Sequence, residues 1–383
     1  MTRQLVGIAA ALVALAVSYS AALAQPAQPE SVEIALVANS QDATVALLDV
    51  ATRSIIGRID VNPARVKASG PGAPNYAQDT DVSPDGKTLY VSRAYMGDVA
   101  AFDMVTGRLL WETPLSTGRA DHMTLTPDGR SLFVSAMLDN RVYRIATATG
   151  KITGHFVAGV YPHDNKISSD GRLLYNTSIG AIASLPRSPN APPLTETPGA
   201  QFQVTVVDVN TLETRDRIPT ANAIRPWQFA PDEKGLYAQV ANEHAVVFYD
   251  LAARSFTRRL ELPVKPGIAT ADYDFEAPHH GVALTDDGKV LCLAGRASDY
   301  AALVSAPDLK LVATIPVGDA PGWAETADRG TVCLLTNTRS DDLSIISIPE
   351  RKEVLRLPIG DGPKHITIAR LPASVIAAIR ARS

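Results

Sequence analysis

The chain has 383 residues and a formal net charge of −4, with 36 lysine and arginine residues against 40 aspartate and glutamate residues. This mild acidic balance argues against nucleic acid or an anionic membrane surface as a partner. Only two cysteines occur, and the sequence lacks the C-x-x-C-H pattern, which excludes a covalently attached c-type haem.

Residues 1–24 have the features of a secretory signal peptide. Arg3 supplies a positive charge, residues 5–17 are almost all apolar, and Ala22-Leu23-Ala24 forms a small-x-small cleavage pattern. The apolar run is too short to serve as a mature membrane anchor. We therefore expect a periplasmic protein, most simply a monomer, cleaved after Ala24 and carrying a short linker over residues 25–31.

A turn-containing segment recurs along the rest of the chain between strand-like runs. It reads SPDGKTLYVS (83–92), TPDGRSLFVS (126–135), SSDGRLLYNT (168–177), APDEKGLYAQ (230–239) and TDDGKVLCLA (285–294), with a degenerate version from Thr326. Asp85, Asp128 and Asp170 of these turns are 43 and 42 residues apart. A period in the forties built from four short strands is typical of a β-propeller.

The C-terminal end of the repeat region supplies the strand that its N-terminal end lacks. Six inner strands precede the turns, and a seventh, KHITIARL (364–371), has no second strand after it. The chain begins with three strands, EIALVAN, TVALLDV and SIIGRIDV, that lack an inner one. We therefore predict an all-β fold, a seven-bladed β-propeller over residues 32–373 with four-stranded blades. The C-terminal inner strand joins the N-terminal blade and closes the ring, and residues 374–383 form a tail.

The segments SPDGKTLYVS and TPDGRSLFVS resemble the YVTN-type repeat of exported bacterial propellers. That superfamily includes the haem-binding propeller of periplasmic nitrite reductase. The resemblance covers nearly all of the mature chain and implies the fold. It implies little about activity, because propellers support many unrelated chemistries.

Histidine stands at the start of four of the seven predicted inner strands. Inner strands line the central channel of a propeller and all begin at one face, so His122, His163, His280 and His365 are predicted to form a ring there. Neutral imidazole is a common ligand of transition metals, so these four are the candidate metal ligands. The alternative is that they only form hydrogen bonds between neighbouring blades.

Other residues near the same strand starts supply further candidates. Asp121 and Asp164 adjoin two of the histidines and could orient them or transfer protons, as could Asp79, and His279 is a further candidate proton carrier. Arg225, Trp227 and Trp323 could contact a cofactor or flat ligand, although packing between blades is the simpler role for the tryptophans. Three long loops, 61–78, 180–201 and 263–278, should build a rim on this face.

These features leave three functions open. The first is a propeller that binds a metal ion or a noncovalent tetrapyrrole, with redox or hydrolytic activity. The second is a noncatalytic module whose loop-rich face holds a small molecule or a periplasmic protein. The third is a metal-dependent lactonase-like enzyme or lyase. Cys292 and Cys333 occupy matching positions in adjacent blades, and although export permits a disulfide, we expect buried free thiols.

Overall fold

The computed structural model describes residues 31–70, 73–116, 119–181 and 197–382. The predicted signal peptide and most of loop 180–201 lie outside the described residues. The described part of the chain contains no helix that could span a bilayer.

The described strands form seven four-stranded antiparallel sheets, which are the predicted blades. Blade 1 contains β1 (Ser31–Asn39), β2 (Thr44–Asp49), β3 (Ser54–Asp60) and β28 (Pro363–Pro372). Blade 2 contains β4 (Asp79–Val82), β5 (Thr88–Arg93), β6 (Asp98–Asp103) and β7 (Leu109–Pro114). Blade 3 contains β8 (Ala120–Leu125), β9 (Ser131–Ala136), β10 (Arg141–Ala146) and β11 (Ile152–Val157).

The remaining blades repeat this order from the inner to the outer strand. Blade 4 contains β12 (Pro162–Ile167), β13 (Leu173–Ile179), β14 (Phe202–Asp208) and β15 (Thr214–Pro219). Blade 5 contains β16 (Ile224–Phe229), β17 (Gly235–Val240), β18 (Ala245–Asp250) and β19 (Ser255–Glu261). Blade 6 contains β20 (His280–Leu284), β21 (Val290–Gly295), β22 (Tyr300–Ser305) and β23 (Lys310–Pro316). Blade 7 contains β24 (Pro321–Ala327), β25 (Val332–Asn337), β26 (Asp342–Ser347) and β27 (Lys352–Pro358).

The last strand closes the ring. β28 pairs antiparallel with β1, from Ser31 opposite Pro372 to Asn39 opposite Pro363, and is the innermost strand of blade 1. This confirms the closure predicted from the unpaired inner strand at the C-terminus. The helix α1 (Ala373–Arg380) follows directly, and its Val375, Ile376 and Ile379 pack into the apolar cluster of blades 1 and 2.

The Asp-Gly turns take the conformation that their sequence indicates. In blade 3, Asp128 Oδ1 accepts a hydrogen bond from the Arg130 amide at 3.0 Å and another from the Thr126 hydroxyl at 2.6 Å. Gly129 has a φ of 70°, in the left-handed region that glycine adopts without steric cost. These aspartates therefore have a structural role, at the face opposite to the starts of the inner strands.

The expectation of free thiols is wrong. Cys292 of β21 and Cys333 of β25 form a disulfide that links the second strands of blades 6 and 7, with Cα atoms 6.4 Å apart. Matching positions in adjacent blades face each other across the interblade core, which places the two sulfur atoms within bonding reach.

We expect loss of this disulfide to lower the free energy of unfolding by about 2–4 kcal/mol, because the bond closes a loop of 41 residues in the unfolded chain. Chemical denaturation of the wild-type protein with and without reductant measures the effect. A Cys292→Ala/Cys333→Ala double variant is the control and should be insensitive to reductant. Equal midpoints for the reduced and oxidised wild-type protein would contradict the prediction.

Candidate metal and ligand site

The inner strands bear β-bulges close to their starts. In β8, β12 and β16 the register against the second strand shifts so that one extra residue enters the inner strand. Similar shifts occur at Gly281, Gly322 and Lys364 of the last three inner strands. A bulge interrupts the alternation of side chains and re-aims them. The bulges of β8 and β12 are equivalent, and His122 is the second residue of its bulge whereas His163 is the first, so the predicted ring of histidines at equivalent positions is uneven.

Asp79 lies between two of the predicted ligands. Its Oδ2 is 3.2 Å from His122 Nδ1, and its Oδ1 is 2.9 Å from His365 Nδ1. The backbone amides of Met123 and Thr80 also donate to this carboxylate, at 3.0 and 2.7 Å. One ligand atom from each of Asp79, His122 and His365 lies within 4.8 Å of the others, and all three residues are buried. The structure thus brings together two predicted metal ligands and the aspartate predicted to orient them.

The protonation of this group follows from its surroundings. Burial alone would raise the pKa of Asp79, but the imidazoles of His365 and His122 hold it well below its usual range. Burial lowers the pKa of His365, in spite of the opposing charge of Asp79. For His122 burial also acts to lower the pKa, but the hydrogen bond to Asp79 and the charge of Asp121 raise it overall. The group therefore contains an ionised carboxylate, a neutral imidazole at His365 and, at His122, an imidazole whose proton a metal ion would displace on binding.

Trp323 packs against the same two histidines. Its ring centroid is 3.9 Å from that of His365 and 5.1 Å from that of His122, with which it is stacked. Its indole N–H donates to Glu325 Oε1 at 3.1 Å. Trp323 therefore holds both imidazoles in place from one side.

His163 and His280 lie next to this group but do not join it. The ring of His163 is 4.6 Å from that of His122 and 6.1 Å from that of His280. His280 Nδ1 donates to the Gly322 carbonyl at 2.7 Å, which leaves Nε2 with a lone pair. Burial lowers the pKa of both imidazoles well below the usual range, and for His163 the charges of His122 and Arg225 reinforce the effect.

Two cavities border the histidines. One is lined by His163 and His280 and by residues of the predicted rim loops, including Gln78 and Phe275. The other is lined by residues farther along the inner strands and reaches Asp79 and His365. Its wall also contains Glu325, whose pKa burial raises to about 7 although the charge of Lys166 opposes the shift.

The first cavity has a wall rich in basic residues, of which the sequence pattern indicates only one. Arg225, a predicted ligand contact, lines this cavity. Arg119, Arg296 and Lys364 line it as well. Burial, reinforced by the charges of Arg119 and Arg296, lowers the pKa of Lys364 to about 7. The sequence could have indicated these three residues. Arg119 and Lys364 lie at the starts of inner strands and Arg296 lies in the loop after a second strand, and these positions share the face of the histidines.

The other predicted site residues are placed differently. His279 is buried away from the channel group, with its Nε2 3.2 Å from Tyr300 Oη and its ring against His244. Trp227 packs in the interblade core against Phe229. Asp121 is buried 3.7 Å from Arg119 Nη2 and 4.0 Å from His122 Nε2. Asp164 lines the second cavity together with Asp79.

Comparison with known proteins supports the fold. A family model described as outer membrane protein assembly factor BamB matches residues 41–184. This is not the YVTN-type family that the repeat motifs suggested. No curated protein sequence matches the chain.

The chain also aligns with solved structures of the same fold, over nearly the whole length of each of them. The chain is similar to hydrazine synthase of Kuenenia stuttgartiensis, at 19% identity and a TM-score of 0.61, over 81% of this chain and 94% of that one. It is similar to the periplasmic gluconolactonase PpgL of Pseudomonas aeruginosa, at 18% identity and a TM-score of 0.62, over 89% and 100%. A functionally unknown protein from Desulfotomaculum acetoxidans DSM 771 aligns at 10% identity and a TM-score of 0.63, over 88% and 98%. The TM-scores show a shared fold, and at such low identities they say nothing about function.

Proposed function

We propose that the chain is an exported propeller that binds one transition-metal ion through Asp79, His122 and His365 in its central channel. The proposal rests on the buried convergence of one carboxylate and two imidazoles, whose ligand atoms lie within 4.8 Å of one another. Two histidines and a carboxylate are an established donor set for catalytic zinc and for non-haem iron.

The surroundings fit an ion better than a tetrapyrrole. Trp323 packs on both His122 and His365, so a flat macrocycle would have to displace the indole to reach either imidazole. An ion needs only the space between the ligand atoms, at bond lengths of about 2.0–2.2 Å. It would replace the contacts that Asp79 now makes with the two imidazoles.

Three protein ligands leave coordination positions open, which suits catalysis better than a purely structural role. Asp79 and His365 line the second cavity, so a substrate could approach the ion from that side. A bound ion would supply Lewis-acid or redox chemistry there. Glu325, in the same cavity, can hold or release a proton near neutral pH, as a general acid or base must.

Export is supported by three observations. Residues 1–24 have the pattern of a signal peptide, and the Cys292–Cys333 disulfide is typical of oxidising compartments. One similar structure is named a periplasmic gluconolactonase. That name also makes a sugar lactone a reasonable first substrate for a hydrolytic assay. The YVTN-type resemblance, carried by the repeat motifs, points to the same class of exported propellers.

Metal analysis of the untagged protein from a periplasmic extract tests the proposal. We expect about one equivalent of a single transition metal and an intact mass that begins at Gln25. A His365→Ala variant should retain less than about a tenth of the metal, because one of three ligands is lost. His155→Ala, which removes an exposed histidine of β11, is the matched control and should keep it.

A protein that is metal-free as purified and takes up no added zinc, iron or copper would contradict the proposal and favour the noncatalytic binding module. Metal that persists in His365→Ala but is lost from a His163→Ala/His280→Ala variant would move the site to the other two histidines.

A further inference from the structure

The cavity that is lined by His163 and His280 has an unusual charge balance. Three arginines and one lysine among the described residues contribute to its wall, namely Arg119, Arg225, Arg296 and Lys364. The acidic residue in the described wall is Asp274, and its carboxylate is already paired with Arg296 at 3.1 Å and with Arg339 at 2.8 Å. The cavity therefore carries positive charge that its own wall leaves unneutralised.

Two of the arginines are buried with donors unused. Arg119 is 6% exposed, and its Nε and Nη1 have no hydrogen-bond partner among the described residues. Arg225 is 2% exposed, and its Nε likewise has none in the described chain, although its Nη2 donates to the Phe275 carbonyl. The nearest carboxylates, Asp121 and Glu276, are each 3.7 Å away, beyond hydrogen-bond distance.

Buried arginines without hydrogen-bond partners lower the stability of the ligand-free protein, because the loss of hydration is not compensated by contacts within the protein. A ligand with carboxylate groups would supply them, since the guanidinium fork matches the geometry of a carboxylate. Apolar groups of Met137, Ile179, Phe275 and Ala277 also line the cavity and could contact a carbon skeleton. This mixture favours an organic anion over an inorganic one.

We propose that this cavity binds a small organic molecule that bears two or more carboxylate groups, held by Arg119, Arg225, Arg296 and Lys364. The site is separate from the metal group, since Asp79 and His365 line the other cavity. His163 lines the first cavity, and its ring lies 4.6 Å from that of His122. The inference therefore does not depend on whether a metal binds.

Isothermal titration calorimetry with a panel of di- and tricarboxylates, including succinate and citrate, tests this proposal. We expect at least one member to bind with an affinity that falls as sodium chloride increases. Succinamide, the neutral analogue of succinate, should not bind, and inorganic phosphate should bind at least tenfold more weakly than the best carboxylate. Absence of binding across the panel, or equal affinity for phosphate, would overturn the proposal.

An Arg119→Met variant separates a ligand contact from a structural role. We expect its carboxylate affinity to fall by about tenfold to a hundredfold. Its melting temperature without ligand should fall, because Asp121, a fully buried carboxylate 3.7 Å away, loses its nearest positive charge. The affinity is therefore measured at a temperature at which circular dichroism shows the variant to be folded, and an unchanged affinity of the folded variant would overturn the assignment.

Two further variants serve as controls. Arg130→Met removes an exposed arginine from the opposite face of the propeller and should leave the affinity unchanged. Asp79→Asn, which alters the proposed metal ligand, should change carboxylate affinity by less than about threefold. Failure of the anion site can thereby be distinguished from failure of the metal site.

Discussion

Replacing Asp79 with asparagine is expected to lower metal affinity by about a hundredfold or more while the propeller stays folded. The carboxylate is the charged member of the group, and it contacts both His122 and His365. Asparagine keeps the size of the side chain but removes the negative charge and presents an amide N–H₂ group that cannot coordinate. Loss of a residue that only orients a metal ligand already costs tenfold to a hundredfold, and loss of a ligand costs more. Competition with a chromogenic chelator measures the affinity.

Asp139→Asn is the matched control for this experiment. Asp139 is also fully buried, but it accepts hydrogen bonds from Ser116 and Tyr143, away from the channel histidines. Both substitutions should lower the free energy of unfolding by about 1–3 kcal/mol, because each weakens buried hydrogen bonds. Only the change at position 79 should release metal. Equal metal affinity in the two variants would show that Asp79 is not a ligand.

Replacing Gly281 with alanine is expected to lower the free energy of unfolding by about 2–4 kcal/mol. Gly281 is the bulge residue of β20, directly after His280, and its φ is 65°. A Cβ at this position would lie 2.5 Å from the backbone nitrogen of Ala324 and 2.7 Å from backbone atoms of Trp323, in the neighbouring inner strand. Backbone cannot move aside as a side chain can, so the clash adds to the cost of a left-handed residue. Chemical denaturation measures the change.

Gly267→Ala isolates the conformational part of that cost. Gly267 has a φ of 86°, and a Cβ there would meet no atom within 4 Å. Replacing it with alanine should lower the free energy of unfolding by only about 1–2 kcal/mol, which is the penalty for placing alanine in the left-handed region. If Gly281→Ala costs no more than Gly267→Ala, the approach of β20 to β24 is looser than the structure shows.

The sequence predicted the propeller because its evidence is local and repeated. An Asp-Gly turn between two apolar runs specifies a hairpin through short-range hydrogen bonds and a left-handed glycine, as in the turn at Asp128 and Gly129. A missing inner strand at one end and an unpaired strand at the other also specify closure, since only their pairing leaves no open sheet edge.

The candidate site was predictable in outline, because every inner strand starts at the same end of the channel. Histidines near those starts had to lie close together, and Asp79 had to lie near them. The sequence could not show which of them converge, since residues in different blades meet only after the ring has closed. Prediction of the disulfide failed for a related reason, because the spacing of Cys292 and Cys333 gives their blade positions but not the distance across the interblade core.

By itself, the sequence determined the repeat, the number of blades, the closure by the last strand and the end of the channel at which the polar residues gather. These properties depend on hydrogen bonding and alternation within a few residues of each turn. Tertiary structure alone decided that Asp79 joins His122 and His365, that His279 faces Tyr300, and that three arginines and a lysine line one cavity. The physical reason is that most of these contacts join residues far apart in sequence, which meet only when the strands pair and the ring closes, and that β-bulges in several inner strands also re-aim side chains.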